Sequence, residues 1–261
     1  MRKIAVAMAK GGVGKTTTAV NLAHGLALKG ASVVLVDGDT QAQAAEFLGV
    51  KTDCGLYEFV TGEDQEGNPV EKSRAIFPAR ERLWLISGGM PLVELKHRLG
   101  EQPRPIRHAV LSKSLVPRDD SVDYLIFDCA PGWDVLSVNM LMAAEEVLCP
   151  VAMQGPALHG LKTFFSYLLS AQKLNPALRL KYVLPTMFDR RTRHGPAVYE
   201  QLSSRFRRQL CEPVGYNTSL SEAAARGKTI FEHRSGSAGA EGYRQLIRRI
   251  DHDSKKKKQE A

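Results

Sequence analysis

The sequence has no paired cysteines. Its four, Cys54, Cys129, Cys149 and Cys211, are scattered without a C-x-x-C spacing. That argues against a zinc ribbon, an iron–sulfur site and a secreted disulfide framework, and a reducing cytosol is the expected compartment. A long apolar run is also missing. Only six apolar residues, Ile4 to Ala9, follow Met1-Arg2-Lys3, too few for the core of a signal peptide. The best later stretch, Val135 to Met153, is broken by Glu145 and Glu146, whereas a membrane span needs about 18 apolar residues. Acidic residues are in the minority, 28 Asp+Glu against 36 Lys+Arg, for a net charge of +8 and a pI near 9.3. The excess invites an anionic partner: nucleic acid, an acidic membrane surface or a nucleotide. Charge kept for solubility is the plain alternative. With 261 residues, 43% of them hydrophobic, the chain can bury about 70–75% of its unfolded surface and needs no covalent staple.

Short, nearly continuous apolar runs recur at Ile4–Ala9, Val33–Val36, Leu83–Ile86, Tyr124–Phe127, Val147–Val151 and Tyr182–Leu184. Such runs suit strands buried on both faces. Helical periodicity lies between them, over Thr17–Lys29 with Gly30 as its C-terminal stop, then Val135–Ala144, Leu158–Lys173, Pro196–Leu210 and Gly239–Ile250. Strands alternating with helices predict an α/β fold: one domain with a mostly parallel twisted sheet flanked by helices on both faces. The domain is expected over residues 1–250, with 251–261 a basic, disordered tail. Residues 51–80 read as a peripheral excursion, and 95–117 as helices broken by loops. There is no internal repeat.

The strongest signal is Ala9-Lys10-Gly11-Gly12-Val13-Gly14-Lys15-Thr16-Thr17, set between an apolar strand and an amphipathic helix. Glycines let backbone N–H groups turn inward around a polyphosphate, and the helix N-terminus adds its own free N–H groups and dipole. In such a loop Lys15 sits on the β- and γ-phosphates and the Thr16 hydroxyl on Mg²⁺. Ala9 stands where the strict pattern has its first glycine, and Lys10 is a second lysine inside the loop.

Lys-Gly-Gly-Val-Gly-Lys-Thr-Thr resembles the deviant Walker A motif of the ParA/MinD ATPases, and the resemblance runs along nearly the whole chain. It implies a P-loop NTPase that binds ATP and Mg²⁺ through residues 10–17 and dimerises as an ATP sandwich, Lys10 reaching the partner's phosphates. Two nucleotides brought face to face stack negative charge, which a lysine given in trans offsets. Asp37-Gly38-Asp39-Thr40-Gln41 is similar to the family's switch I, where Asp39 would orient or activate the attacking water and Asp37 support the Mg²⁺ region. Thr40 replaces the usual proline. Tyr124 to Gly132 resembles Walker B with switch II, which makes Asp128 a metal carboxylate. Cys129 in that segment reads as packing. Pro185 to Arg193 is similar to the segment the family places by the adenine, which implicates Met187 and Phe188 as neighbours of the base, with core packing the equal alternative for both. Tyr216-Asn217-Thr218-Ser219-Leu220-Ser221-Glu222-Ala223 resembles a segment that has arginines where Tyr216 and Ser219 stand here; Asn217 is carried over as a nucleotide contact.

The positive charge concentrates in residues 179–210, where eight cations face two carboxylates, net +6. Arg190, Arg191, Arg193, Arg205, Arg207 and Arg208 are the candidate DNA contacts. A second cluster comprises Lys96, Arg98, Arg104, Arg107, Lys113 and Arg118, and a third the run Lys255 to Lys258. With no base-reading module, binding would be sequence-independent and salt-sensitive. The leading expectation is a cytoplasmic, nucleoid-associated ATPase that positions a cargo (a plasmid, a chromosome origin, or a compartment such as a carboxysome). A ParB-like or cargo adaptor would stimulate its slow hydrolysis. A MinD-like membrane-cycling regulator is the runner-up; Tyr243, Leu246, Ile247 and Ile250 form only a short apolar stripe for that purpose. A metal-cluster carrier lacks its paired cysteines. A biosynthetic ligase would betray itself by transferring phosphate to a metabolite.

Overall fold

The computed structural model describes residues 1–104, 106–115, 121–154 and 157–259, with the backbone alone at 157–159 and 257–259. Its strands are β1 (Arg2–Val6), β2 (Val33–Asp37), β3 (Phe77–Arg80), β4 (Leu83–Ile86), β5 (Tyr124–Asp128), β6 (Glu146–Ala152) and β7 (Arg179–Thr186). They form one sheet in the order β3-β4-β2-β5-β1-β6-β7, parallel except for the β3–β4 pair. The helices are α1 (Lys15–Ala27), α2 (Gln43–Leu48), α3 (Leu56–Thr61), α4 (Leu92–Glu101), α5 (Val110–Ser114), α6 (Val135–Ala143), α7 (Ala157–Leu174), α8 (His194–Arg205), α9 (Thr218–Ala225), α10 (Ile230–Arg234) and α11 (Ala238–Gln259).

Successive strand residues point to opposite faces, and both faces are apolar. Ala5, Val36, Phe127 and Val151 pack with Leu95, Leu111, Met140 and Phe164 of one helical layer. Ile4, Val6, Leu35 and Ile126 pack with Leu22, Leu26, Tyr243 and Ile247 of the other. The continuous apolar strands therefore meant what they mean in any doubly covered sheet, and the expected architecture holds.

Three expectations are corrected. The segment at 51–80, expected as a peripheral excursion of the domain, carries regular structure that packs into it. It supplies α3 and the antiparallel edge strand β3, which accommodates Pro78 because an edge strand has a free side where a missing N–H costs nothing. The helix expected over Pro196–Leu210 starts at His194 and stops at Arg205; beyond it Cys211 donates its N–H to the Val183 carbonyl instead. The tail expected at 251–261 is helical through Gln259 and docks on the sheet. Asp253 Oδ2 accepts from the Tyr182 hydroxyl at 2.8 Å, and the Ser254 hydroxyl meets Tyr124 Oη at 2.6 Å.

Arg2 ties both ends of the chain together. It lies buried, donates to Glu146 Oε1 at 3.0 Å and to Tyr182 Oη at 2.8 Å, and reaches the Ile250 carbonyl and Ser254 Oγ of α11 at 2.6 Å each. The stripe Tyr243, Leu246, Ile247 and Ile250 is buried against α1, with Tyr243 Oη 3.1 Å from Thr18 Oγ1, so it does not face outward. Among the described residues no helix is long and apolar enough to cross a membrane. Arg2→Ala would leave the Glu146 carboxylate buried and unpaired, a loss of about 3–5 kcal/mol. Urea unfolding should show a midpoint lowered accordingly, and an unchanged midpoint would mean that the network carries no stability.

Candidate nucleotide site

Parallel strands deliver their C-terminal ends to one edge of the sheet, where ligands of open α/β folds bind. Here Asp128 of β5 is in register with Val6 of β1 on one side and with Asp37 of β2 on the other. The loop after β1 begins beside those two carboxylates. Gly12 and Gly14 take left-handed backbone (φ 69° and 85°), and a Cβ placed on Gly11 or Gly12 would meet nothing within 4 Å. The loop is thus an open cradle bounded by the first turn of α1, where the Thr18 N–H bonds the Gly14 carbonyl. α1 starts at Lys15, two residues ahead of the expected Thr17, because Lys15 and Thr16 form that turn. The Thr186 hydroxyl fastens the cradle to β7 by donating to the Val13 carbonyl at 2.9 Å.

The two loop lysines differ. Lys15 is only 7% exposed, and its Nζ donates to the Lys10 carbonyl at 3.1 Å. Burial lowers its pKa, with the Asp128 carboxylate opposing the shift. Lys10 is half-buried, with its stem against α7: a methyl on Gly160 would lie 3.4 Å from Lys10 Cβ. Lys15 is inside the cradle and Lys10 on its wall.

Asp37 is fully buried. Its oxygens accept the N–H groups of Asp39 (2.9 Å) and Ala44 (3.1 Å). It shapes the loop that presents Asp39, which is itself half-buried and caps Gln41 N–H at 3.1 Å. Each Asp37 oxygen thus accepts one backbone N–H, which ties this carboxylate to the loop and to the start of α2. The same loop is held from β4: the Asp39 carbonyl accepts the Gly89 N–H at 3.0 Å, and a Cβ on Gly88 would stand 2.2 Å from that carbonyl. The sequence reading missed Gly88 and Gly89, although a Gly-Gly pair following an apolar strand was the available signal.

Asp128 is 1% exposed, and neither carboxylate oxygen has a hydrogen-bond partner in the protein. A buried, unpartnered carboxylate is costly and calls for a missing partner. Burial, and then the neighbouring Asp37, push its pKa well up, while the Thr16 hydroxyl and Lys15 oppose the rise. A hydroxyl and a carboxylate beside a phosphate cradle are hard oxygen donors that fit Mg²⁺. Cys129 next to it is buried and its thiol pKa is pushed up by burial, as suits packing.

A cavity of about 400 Å³ adjoins the cradle. Gly14 and Thr17 line it together with Met187, Asn217 and Tyr216. Met187 has left-handed backbone (φ 53°), and the flanking Phe188 N–H bonds the Val214 carbonyl at 3.1 Å. Phe188 itself packs with Tyr199, ring centroids 5.5 Å apart, so of the pair it is Met187 that borders the cavity.

Comparison with known proteins decides the family. An "AAA domain" family matches residues 1–180. The chain is 37% identical to the chromosome-partitioning ATPase Soj of Thermus thermophilus over 254 residues, 96% of this chain and 95% of that one. It belongs to the ParA/Soj family of P-loop ATPases. The fold is similar to that of cobyrinic acid a,c-diamide synthase from Mycobacterium smegmatis, solved with an ATP analogue and magnesium (TM-score 0.81, 29% identity, 98% of this chain and 96% of that one). It is equally similar to Cyanothece McdA in its ATP complex (TM-score 0.81, 21% identity, 95% of each chain).

Against that family background the arginines can be placed. Arg190, Arg191, Arg193, Arg205, Arg207 and Arg208 are all exposed, in the loop after β7, at the end of α8 and just beyond it. Arg191 forks onto its neighbour Asp189 at 2.9 and 3.0 Å, which spends part of its charge locally. Of the second cluster, Lys96 pairs with Asp134 at 2.8 Å and Arg98 with Glu63 and Glu94; Arg118 lies outside the described residues. Of the two positions where ParA-type chains carry arginine, Ser219 is buried in the first turn of α9 and Tyr216 is 57% exposed.

The two raised carboxyls generate a stability prediction. Burial pushes Asp37 up to about 7, and Asp128 above its usual range. The nucleotide-free fold therefore holds protons that the unfolded chain has released. That stabilisation is complete below the ordinary carboxylate pKa and is lost as pH rises through about 7. Asp128→Asn should raise the melting temperature of the nucleotide-free protein at pH 8 and flatten its decline with pH while abolishing turnover. A wild-type melting temperature that is level from pH 5 to 8 would refute the assignment.

Proposed function

We propose that this chain is an ATP-dependent dimerising ATPase that holds DNA without sequence preference and positions a cargo as a partner stimulates hydrolysis. The observation that carries the reading is the pair of loop lysines: Lys15 buried within the cradle, Lys10 half-buried on its rim against α7. One lysine suffices for phosphates bound in cis. A second on the rim suits phosphates presented by another subunit, where two stacked triphosphates need added positive charge.

In this reading residues 10–17 cradle the triphosphate, Met187 and Asn217 border the adenine, and Thr16 and Asp128 hold Mg²⁺, with Asp37 supporting from behind. The bound ion would neutralise charge on the β- and γ-oxygens. Asp39 orients a water toward the γ-phosphorus. As the new P–O bond forms, the bond to the β–γ bridging oxygen breaks, and Lys15 and Lys10 offset the charge left on the leaving diphosphate. Loss of the γ-phosphate would remove the contact that joins the subunits. The exposed arginines from Arg190 to Arg208 supply phosphate-backbone contacts, so DNA binding should fall steeply with salt. The cargo class rests on the partitioning relatives: a plasmid, a chromosome origin or a protein compartment, with an adaptor as the stimulating partner.

The likeness to a diamide synthase at 29% identity favours one competing reading, a ligase that activates a metabolite carboxylate. Burial of the α11 stripe speaks against the membrane-cycling alternative, because those side chains already cover α1.

Light scattering with ATP, DNA pelleting and phosphate release test the proposal together. Lys15→Ala should lose nucleotide binding. Lys10→Ala should keep nucleotide binding and lose the ATP-dependent dimer. Asp39→Ala should stay dimeric and DNA-bound with hydrolysis reduced at least about 100-fold, the scale of losing a water-positioning group. A Lys10→Ala protein that still dimerises with ATP removes the sandwich mechanism. ATP-dependent sedimentation with anionic liposomes but not with DNA would instead support membrane cycling.

A further inference from the structure

The cavity beside the cradle contains two side chains with no assigned role. Glu46, on α2, lines it with Phe47, and Tyr216 lines it from the loop before α9. Among the described residues the Glu46 carboxylate enters no hydrogen bond and no ion pair, and it is exposed. Tyr216 is likewise exposed, at 57%, yet its backbone is fixed, its N–H bonding the Phe188 carbonyl at 2.9 Å. The neighbouring Asn217 uses its Oδ1 to cap α9 by accepting the Ser219 N–H at 2.9 Å, which leaves its amide –NH₂ as a donor. The walls hold their spacing because α2 is wedged on the end of α9. A Cβ on Gly227 would stand 2.6 Å from Gly49 Cα, and one on Gly49 would stand 2.9 Å from the Gly227 carbonyl oxygen.

An aromatic face, a free acceptor and a free donor around one cavity select a nucleobase by chemistry. Adenine shows an amino donor at position 6 beside the N7 acceptor, whereas guanine and hypoxanthine show a 6-oxo acceptor there. Glu46 as acceptor and Asn217 as donor complement the first edge. A 6-oxo group would face the Glu46 carboxylate with no hydrogen to share. We propose that Glu46 and Tyr216 select the base in this chain, Tyr216 by stacking on any purine and Glu46 by accepting from the 6-amino group. This rests on reading the cradle as a nucleoside-triphosphate site. Glu46 also belongs to the helix whose Ala44 N–H is held by Asp37, so base selection and the Asp39 loop share one element.

Displacement of a fluorescent ATP analogue by ATP, ITP, GTP and inorganic tripolyphosphate tests this. The wild type should bind ATP about tenfold tighter than ITP or GTP, the order expected when a polar edge is left unmatched. Glu46→Ala should bring ATP and ITP within about twofold, by weakening ATP and by relieving ITP of the facing acceptor. Tyr216→Ala should weaken both by about tenfold, the scale of one lost stacking contact, and Tyr216→Phe should restore them. Tripolyphosphate should compete equally with all variants. An unchanged ATP-to-ITP ratio in Glu46→Ala, or an unchanged ATP affinity in Tyr216→Ala, overturns the proposal. If neither ATP nor tripolyphosphate displaces the probe from the wild type, the nucleotide site itself is refuted, and base selection with it.

Discussion

Two carboxylates stand opposite each other at the ends of adjacent strands, Asp37 on β2 and Asp128 on β5, both shut away from water. Like charges in a buried place repel each other and lose hydration, so each is tolerable only with compensation. Asp37 obtains it from two backbone N–H groups, and in doing so sets the path of the loop that carries Asp39. Asp128 has no close hydrogen bond and is offset only by the nearby Thr16 hydroxyl and the Lys15 ammonium. The pair is therefore short of positive charge when ionised, a deficit that a divalent cation would offset. A fold that carries such a deficit trades some stability for a strong preference for its ligand.

That deficit is tolerated because the rest of the sheet is well tied. Arg2 joins β1 to β6 through Glu146, to β7 through Tyr182 and to α11 through Ile250 and Ser254. These contacts sit at the opposite end of the strands from Asp37 and Asp128. The last helix completes the apolar layer over α1, since Tyr243, Leu246, Ile247 and Ile250 are all within that cluster. The same four residues seen only as a stripe on a helical wheel allow a membrane face; their burial turns them into structural side chains.

The charge of +8 also divides once positions are known. Lys10 lies in the loop after β1 and Lys15 at the start of α1. Lys96, Arg98 and Arg2 are spent in ion pairs with Asp134, Glu63, Glu94 and Glu146. The set from Arg190 to Arg208 stays outward, as do Arg104, Lys113 and Lys256, and within that set Arg191 is partly neutralised by Asp189.

Much of the fold and the core of the site were legible in the sequence because they depend on local order. Continuous apolar strands, helices between them and the run from Ala9 to Thr17 are neighbours in the chain, and period and motif suffice to read them. Asp37 and Asp128 could be named the same way, each closing an apolar strand. The sequence by itself determined the α/β class, the phosphate loop, the carboxylate positions and the family. Only the tertiary structure decided that Asp37 shapes a loop while Asp128 is left unpartnered, that the last helix runs to Gln259 and meets the sheet through Asp253 and Ser254, that β3 closes the sheet edge, and that Glu46 and Tyr216 meet around one cavity. Those facts depend on groups separated by tens to hundreds of residues, and whether a charge is buried, paired or free is set by which distant neighbours the packing brings to it.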